Sequence, residues 1–431
     1  MTSIGPSVGI SPDDRRSLVE PIRHTVVCHT NPKGYPTVAD ATKSAAGGPA
    51  PTTANERAAA AAAAITDRHL RRMLWTPGTR LAAVAWPIGA VAGHFGMWHY
   101  WWHAHLVDLL VDAAIHRPGD GTADVVGLLL RGINLRNLGK WTNNYFDDMA
   151  WLGLAIERAD RHLGLSHDRA VRTLSGRMVD AWVPHLGGGI PWRTMDLFFN
   201  APANGPAAVL VARTGHVERA AAMADWIDAH LVDADSHLII DGIKPAIAPG
   251  EMERVTAIYT YCQGVVLGAE LELLRLTRRE VHAERIDRLL HAVQTRMCHD
   301  GVIPGAGGGD GGLFAGILAR YLALVATDLP PIIQGADDMC RRAAHIVTTS
   351  AEAAWLNRTE TEDGPVFGAD WRRPADNPSG GGAKAQFVEG AVQSSQVPER
   401  DLSVQLSAWM VLEAAAAVDL RLPEHVQKEA T

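Results

Sequence analysis

Cysteine is sparse in this chain. The four present, Cys28, Cys262, Cys298 and Cys340, stand far apart with no CxxC and no short metal-ligand spacing. A disulfide framework or thiolate metal site is therefore not expected, and free buried thiols are. A basic excess is missing too: 40 Lys and Arg against 48 Asp and Glu leave a net charge of -8. No Lys/Arg stripe interleaves with aromatics, so nucleic acid is not an expected partner. No apolar stretch approaches the roughly 20 residues of a membrane helix. The start of the chain has no basic segment followed by a continuous apolar run, so no secretory signal is read there and cytoplasmic residence is the default expectation, with export by another route open.

Several familiar chemistries lack a needed part. His99 and His103 have i, i+4 spacing, but the glutamate of a zinc-protease motif is absent and Trp98, Tyr100, Trp101 and Trp102 crowd the segment, so core or cleft-wall histidines are expected. Gly305 to Gly312 has no following Lys-Ser/Thr pair, which excludes a phosphate loop and leaves a turn. Cys298-His299-Asp300 is contiguous, whereas a nucleophilic triad must converge in space. No metal or cofactor is expected. Clean two-residue alternation is also scarce, which argues against a sheet-based fold.

What is present is 47% hydrophobic content over 431 residues, enough for one large core. Residues 1–55 are rich in Pro, Gly, Ser, Thr and Ala and read as a flexible leader. From 56 to 425, apolar residues recur at three- and four-residue spacing in twelve segments, among them Asn144 to Leu163, Arg254 to Leu276 and Asp401 to Asp419, so the domain is expected to be all-α. Compact links such as Gly164 to His167 alternate with long ones such as Val183 to Asn200 and Ser236 to Glu253. That alternation predicts six helical hairpins closed as an (α/α)6 barrel, with the long loops shaping a cleft at one end. No fixed-length repeat supports an open solenoid. Gly364 to Arg400, dense in Gly, Pro, Ser and Asn, is read as a mobile loop over the cleft or a disordered insert.

The run Asn143-Asn144-Tyr145-Phe146-Asp147-Asp148-Met149-Ala150-Trp151 carries the most chemistry. Two neighbouring acids in apolar surroundings cannot both ionise without cost, so one is pushed to keep its proton. At a helix start their carboxyls can sit roughly 5 to 6 Å apart, the spacing of a retaining glycosidase. Acidic pairs at helix starts also occur as solvated complements to the helix dipole. Asp13-Asp14 and Asp337-Asp338 fit that plainer reading, since neither has an aromatic escort. Thirteen tryptophans include Trp141, Trp192 and Trp371 in loops, where indoles can stack on sugars. In Gly187-Gly188-Gly189-Ile190-Pro191-Trp192 the glycines would let backbone approach a ligand.

Taken in order, these motifs resemble glycoside hydrolase family 76, the retaining endo-α-1,6-mannanases built on an (α/α)6 barrel. Asn143 to Ala155 is similar to the stretch with the paired aspartates, and Gly187 to Trp192 to a Gly-Gly-Gly-Ile-Trp-Trp loop. Phe199 to Gly205 resembles Lys-Asn-Ala-Ile-Ser-Asn-Gly, and Asp241-Gly242 an Asp-Gly in a long loop. Thr260 to Gly264 resembles Thr-Tyr-Asn-Gln-Gly, and Gly312 to Leu322 the Phe-Lys-Gly-Ile-x-x-Arg-Tyr-Leu helix. The resemblance implies Asp147 as nucleophile and Asp148 as general acid/base. It implies Asn143, Asn144, Asn200, Asn204, Asp241, Tyr261 and Gln263 as hydrogen-bonding substrate residues, Trp192 as a stacking face, and an α-mannan as partner.

Three positions depart from the family pattern: Phe199 and Ala315 where lysines stand, and Cys262 for an asparagine. They raise the prospect of altered subsites, and with it a second reading, a glycan-binding protein of the same fold without turnover. A third, an (α/α)6 enzyme on anionic or other sugars, is disfavoured because the motif loops are poor in Lys and Arg apart from Arg193.

Overall fold

The computed structural model describes residues 52–73, 76–88, 98–184, 187–247, 250–378, 385–388 and 390–421. The expected leader lies outside them except at its end, where Thr53 already caps the first helix. Its hydroxyl accepts the Glu56 N–H while the Glu56 carboxylate accepts the Thr53 N–H, a reciprocal capping box. Twelve α-helices follow among the described residues: α1 Ala54–His69, α2 Tyr100–His116, α3 Thr122–Arg136, α4 Phe146–Leu163, α5 Asp168–Asp180, α6 Ala201–Arg213, α7 Val217–Leu231, α8 Thr260–Thr277, α9 Glu280–Ala292, α10 Phe314–Asp328, α11 Ala336–Leu356 and α12 Leu402–Arg421.

The even-numbered helices form an inner ring, each packed on the next and α12 returning to α2. The outer helices α3, α5, α7, α9 and α11 back onto the inner helix before them, and α1 packs on α12. The fold is an (α/α)6 barrel in which five hairpins are sequential and the sixth pairs the first helix with the last. Burial follows position. Outer α5 hides one stripe, Ala170, Leu174 and Met178, whereas inner α6 is buried from Ala201 to Ala212. The 20-residue segments Gly309–Asp328 and Leu402–Arg421 are long and apolar enough to cross a membrane, contrary to the expectation that no stretch is. They are 72% and 89% buried inside the barrel, which accounts for their composition. Close approach within the ring demands glycine: a Cβ on Gly264 would lie 2.9 Å from the Leu318 Cα, and one on Gly316 2.7 Å from that of Ser407.

Because inner helices run parallel, their N-termini and the long loops before them share one end. Four inner helices pin those loops with the fourth residue of the helix. Asn204 of α6 accepts the Ile190 N–H (2.8 Å) and donates to the Ile190 carbonyl (2.9 Å). Gln263 of α8 does the same to Ile239 (2.7 and 2.9 Å), and Gln405 of α12 to Phe367 (3.2 and 2.9 Å). His103 of α2 accepts the Ala82 N–H at 3.1 Å through Nε2, and its Nδ1 donates to the His99 carbonyl at 2.8 Å. Each clamp satisfies backbone groups that a buried loop would otherwise leave unpaired.

Small strands decorate the loop end. β1 Leu70–Arg71 pairs with β2 Leu81–Ala82, and β3 Phe199–Asn200, β4 Ile240–Pro245 and β5 Met252–Ile258 form an antiparallel sheet. β6 Thr359–Thr361 pairs with β7 Gly364–Val366, and β8 Gln386–Val388 with β9 Ala391–Gln393. The helix expected from Arg254 is corrected: Met252–Ile258 is a strand on β4, and α8 starts at Thr260. Its β-branched Val255, Thr256 and Ile258 and its cross-strand partners outweigh the apolar spacing.

Candidate active site

Asp147 and Asp148 are the second and third residues of α4, at the floor of a cleft of about 630 Å³. The Asn143-Asn144-Tyr145 segment reaches this point through an Asx-type turn in which Asn143 Oδ1 accepts the Tyr145 N–H (2.9 Å). The segment is held to the glycine loop by Phe146 N–H to the Trp192 carbonyl (2.9 Å) and Thr194 N–H to the Asn144 carbonyl (2.9 Å). Trp192 then aims its indole N–H at Asp147 Oδ2, 2.9 Å away, while Asp147 Oδ1 accepts the Asp148 N–H at 2.9 Å. Asp148 receives one side-chain donor, Asn143 Nδ2 at 2.6 Å.

Those unequal donor sets separate the two acids. Burial raises both carboxyls, and no basic group offsets it. Asp147 is raised less, because two N–H donors favour its ionised form. Asp148 is raised far more by burial and then by the charge of Asp147, against the single Asn143 donor. The donor sets therefore favour the proton on Asp148 over Asp147.

A third carboxyl faces the pair. Asp310 sits in the short 3₁₀ turn Gly309–Leu313 ahead of α10 and lines the same cavity. Its Oδ1 accepts the indole N–H of Trp101 (2.8 Å) and of Trp102 (2.9 Å), and its Oδ2 accepts the Val392 N–H (2.6 Å). Asp241 is a fourth. A register shift between β4 and β5 falls at this residue, and its carboxyl lines the cleft, where burial raises it to about 7.

The walls are aromatic. Trp192 meets Tyr145 edge-on (centroids 5.3 Å) and Phe198 (6.3 Å), and the Arg193 guanidinium covers one ring face at 5.1 Å. Tyr261 stacks on Phe314 at 3.9 Å and 13°. Trp98, His99, Tyr100, Trp101 and Trp151 complete the opposite side, with Arg136 placed 5.7 Å over Trp98. The β8–β9 hairpin forms a further wall through Phe387, Gly390, Ala391 and Val392.

Of the predicted site residues, Asp147, Asp148, Trp192, Asn200, Asp241 and Tyr261 line this cavity. Asn200 uses its side-chain oxygen to cap α6 by accepting the Ala203 N–H (3.2 Å). Asn143 acts on Asp148 rather than forming wall. Three assignments are corrected. Asn204 and Gln263 are fully buried and spend their amides on the loop clamps. Asn144 is exposed, does not line the cavity, and contributes its backbone carbonyl. The glycine loop also has a different reason from the expected one. A Cβ on Gly188 would lie 2.7 Å from the Trp182 ring and one on Gly189 2.8 Å from that of Trp226, both at positive φ, so the protein's own indoles require these glycines. Trp141 and Trp371 do not line the cleft.

The three departures from the family motifs all lie off the cavity. Phe199 packs against Trp226, Cys262 is wholly buried, and Ala315 is buried in α10. Asp337-Asp338 is ordinary exposed charge, with Asp338 paired to Arg342 at 2.7 Å, as expected; Asp13-Asp14 lies outside the described residues. Sequence reasoning missed Asp310, whereas the expected core or cleft-wall histidines are found, with His99 lining the cleft beside Trp98 and Trp101 and His103 in the core. The available signal for Asp310 was its place just before an inner helix, close to the helix-start position that Asp147 and Asp148 occupy.

Six inner and six outer helices with paired acids at the floor of an aromatic cleft define the class of (α/α)6 glycoside hydrolase folds. The chain belongs to glycosyl hydrolase family 76, whose profile matches residues 56–407. Among solved structures it is similar to an α-1,6-mannanase from Salegentibacter sp. HEL1_6, with 27% identity and a TM-score of 0.70 over 85% of this chain and 99% of that one. A variant of that enzyme with two adjacent aspartates changed to asparagine is inactive and was solved with α-1,6-mannotriose. A Listeria innocua protein shares the fold at 24% identity and TM-score 0.70, over 87% of this chain and 100% of that one. So does Dfg5 from Chaetomium thermophilum, solved with glucosamine, at 17% identity and TM-score 0.65 over 86% and 91%. No curated protein sequence matches the chain.

Proposed function

We propose that the protein is a retaining glycosidase that cleaves α-1,6-mannosidic linkages of a mannan-type glycan. The observation that carries this reading is the unequal donor set on two adjacent, half-buried acids at the cleft floor. Asp147, favoured as carboxylate, attacks the anomeric carbon and forms a covalent β-mannosyl ester as the bond to the leaving oxygen breaks. Asp148 gives its proton to that oxygen, then takes one from the water that cleaves the ester, so the anomeric configuration is retained. Asp241, Asn200 and Tyr261 line the cleft and in this reading bond sugar hydroxyls, while the aromatic walls suit the C–H faces of the rings. The mannan preference draws on the Salegentibacter relative. The buried position of the three departures takes away the motive for altered subsites and for a binding-only protein.

The test is product analysis on linear α-1,6-mannan. Wild type should release α-configured reducing ends. Asp147→Asn and Asp148→Asn should each lower kcat by about 10³-fold or more; full activity in either variant removes the mechanism.

A further inference from the structure

Asp310 is the most heavily tethered acid in the cleft and has no part in the displacement chemistry. Three N–H donors converge on its two oxygens: two indoles from α2 and the backbone of Val392 from β9. Three N–H donors on its two oxygens favour the carboxylate form, against burial, which raises the group. The Val392 bond is also a latch. It ties to the barrel the hairpin whose Phe387, Gly390, Ala391 and Val392 form a cleft wall. The hairpin reaches far enough that a Cβ on Gly390 would meet the Trp192 ring at 2.8 Å. A second anchor lies behind it, where Asp401 Oδ2 accepts the N–H groups of Gly309 (2.8 Å) and Ser395 (3.0 Å).

We propose that Asp310 is a positioning residue for the reaction: it latches the β8–β9 hairpin onto the cleft and sets a fixed negative charge facing Asp147 and Asp148. This rests on the proposed function. The charged and titratable groups around Asp310 are Asp147 and Asp148 from α4, Tyr261 from α8, Asp401 just before α12, Arg136 of α3, which lines the same cavity over Trp98, and His99 before α2 and His105 within it, both kept neutral by burial. Its charge adds to burial in raising both members of the pair. Asp148 thereby keeps its proton for the leaving group, and Asp147 needs its two donors to remain the carboxylate.

Two variants separate the charge from the latch. Asp310→Asn removes both, whereas Val392→Pro removes the N–H and leaves the charge. Carboxyl titrations of Asp147 and Asp148 are read by NMR on the ¹³C-aspartate-labelled protein without substrate, and KM and kcat on an α-1,6-mannotetraose. Asp310→Asn should move both titrations down by about one pH unit and raise KM roughly tenfold. Val392→Pro should raise KM while leaving the titrations in place. Unmoved titrations in Asp310→Asn, an equal movement in Val392→Pro, or unchanged KM in both variants overturns the proposal. A wild type that turns over no α-1,6-mannoside defeats the proposed function instead, and the titrations still decide the role of Asp310.

Discussion

At the cleft end of the barrel, Asp147, Asp148, Asp241 and Asp310 share one cavity, and burial raises all four with no basic group to offset it. At the other end, Asp108 and Asp112 line a second cavity of about 350 Å³ between the C-terminal halves of the inner helices. Burial would raise these two as well, but Arg158 and Arg320 overturn it and hold both below the usual carboxylate range. Each arginine bonds both aspartates, and the Arg320–Asp112 contact measures 2.7 Å. Arg213 pairs with Glu157 and Glu272, and His116 and Arg117 pair with Glu413. The same residue type is thus neutralised by arginine where the ring is closed and left unmatched where it is open. Acids retained without cations oppose folding, and a site that needs a protonated acid at neutral pH gives a physical reason to retain them.

The largest effect should come from breaking the matched end. Arg158→Met leaves Asp108 and Asp112 with Arg320 alone, and removing one partner of a buried ionic group costs about 3–5 kcal/mol. Urea unfolding at pH 7 should show that loss. A change below about 1 kcal/mol would mean that the arginine network contributes little to holding the inner helices.

A smaller effect separates the loop clamps that frame the open end. Three are amides and the fourth is His103, whose Nε2 must stay unprotonated to accept from Ala82. Burial lowers His103 from 6.5 to about 4. Its neutral form is favoured in the fold, so its contribution is full above pH 6.5 and is lost as pH falls from there toward the folded value. Between pH 7 and 5 the loss is roughly 2 kcal/mol. His103→Gln, the residue that α8 and α12 use at this station, should fold normally at pH 7 and show that much less acid sensitivity in unfolding titrations. An unchanged pH slope would place the acid sensitivity in His69, His99 or His105, which burial also lowers.

The clamps also show where sequence reading reached and where it stopped. Helix positions were legible because three- and four-residue spacing is local, and the alternation of long and short links carried the ring. Asp147 and Asp148 stood out because acids amid Tyr145, Phe146 and Trp151 are chemically odd. Asn204 and Gln263 were read as sugar contacts because an amide in a motif says nothing about its partner. Ile190 and Ile239 lie 14 and 24 residues earlier in the chain. Asp310 was hidden for the same reason. Its partners Trp101, Trp102 and Val392 come from segments 209, 208 and 82 residues away, and a glycine-rich flank reads locally as a turn. The strand at Met252–Ile258 was missed because apolar spacing in seven residues fits either period.

The smallest effect is the sharpest test of the contrast between the two ends. Asp148 folds into a site that raises its carboxyl far above the unfolded value near 3.9. Above that pH the unfolded chain carries the ionised form, so folding must take up a proton, and stability falls as pH rises toward the folded value. Asp148→Asn removes the proton uptake and keeps an oxygen for the Asn143 donor. It should therefore raise unfolding free energy at pH 7 by about 1 to 2 kcal/mol while abolishing turnover, and the gain should shrink to nothing near pH 4. Asp112→Asn at the far end should do the reverse: lower stability at pH 7, with the deficit fading as acid protonates the wild-type aspartate. If both variants lose stability with the same pH slope, the two ends hold their acids alike, and the proton on Asp148 must come from its contact with substrate rather than from the fold.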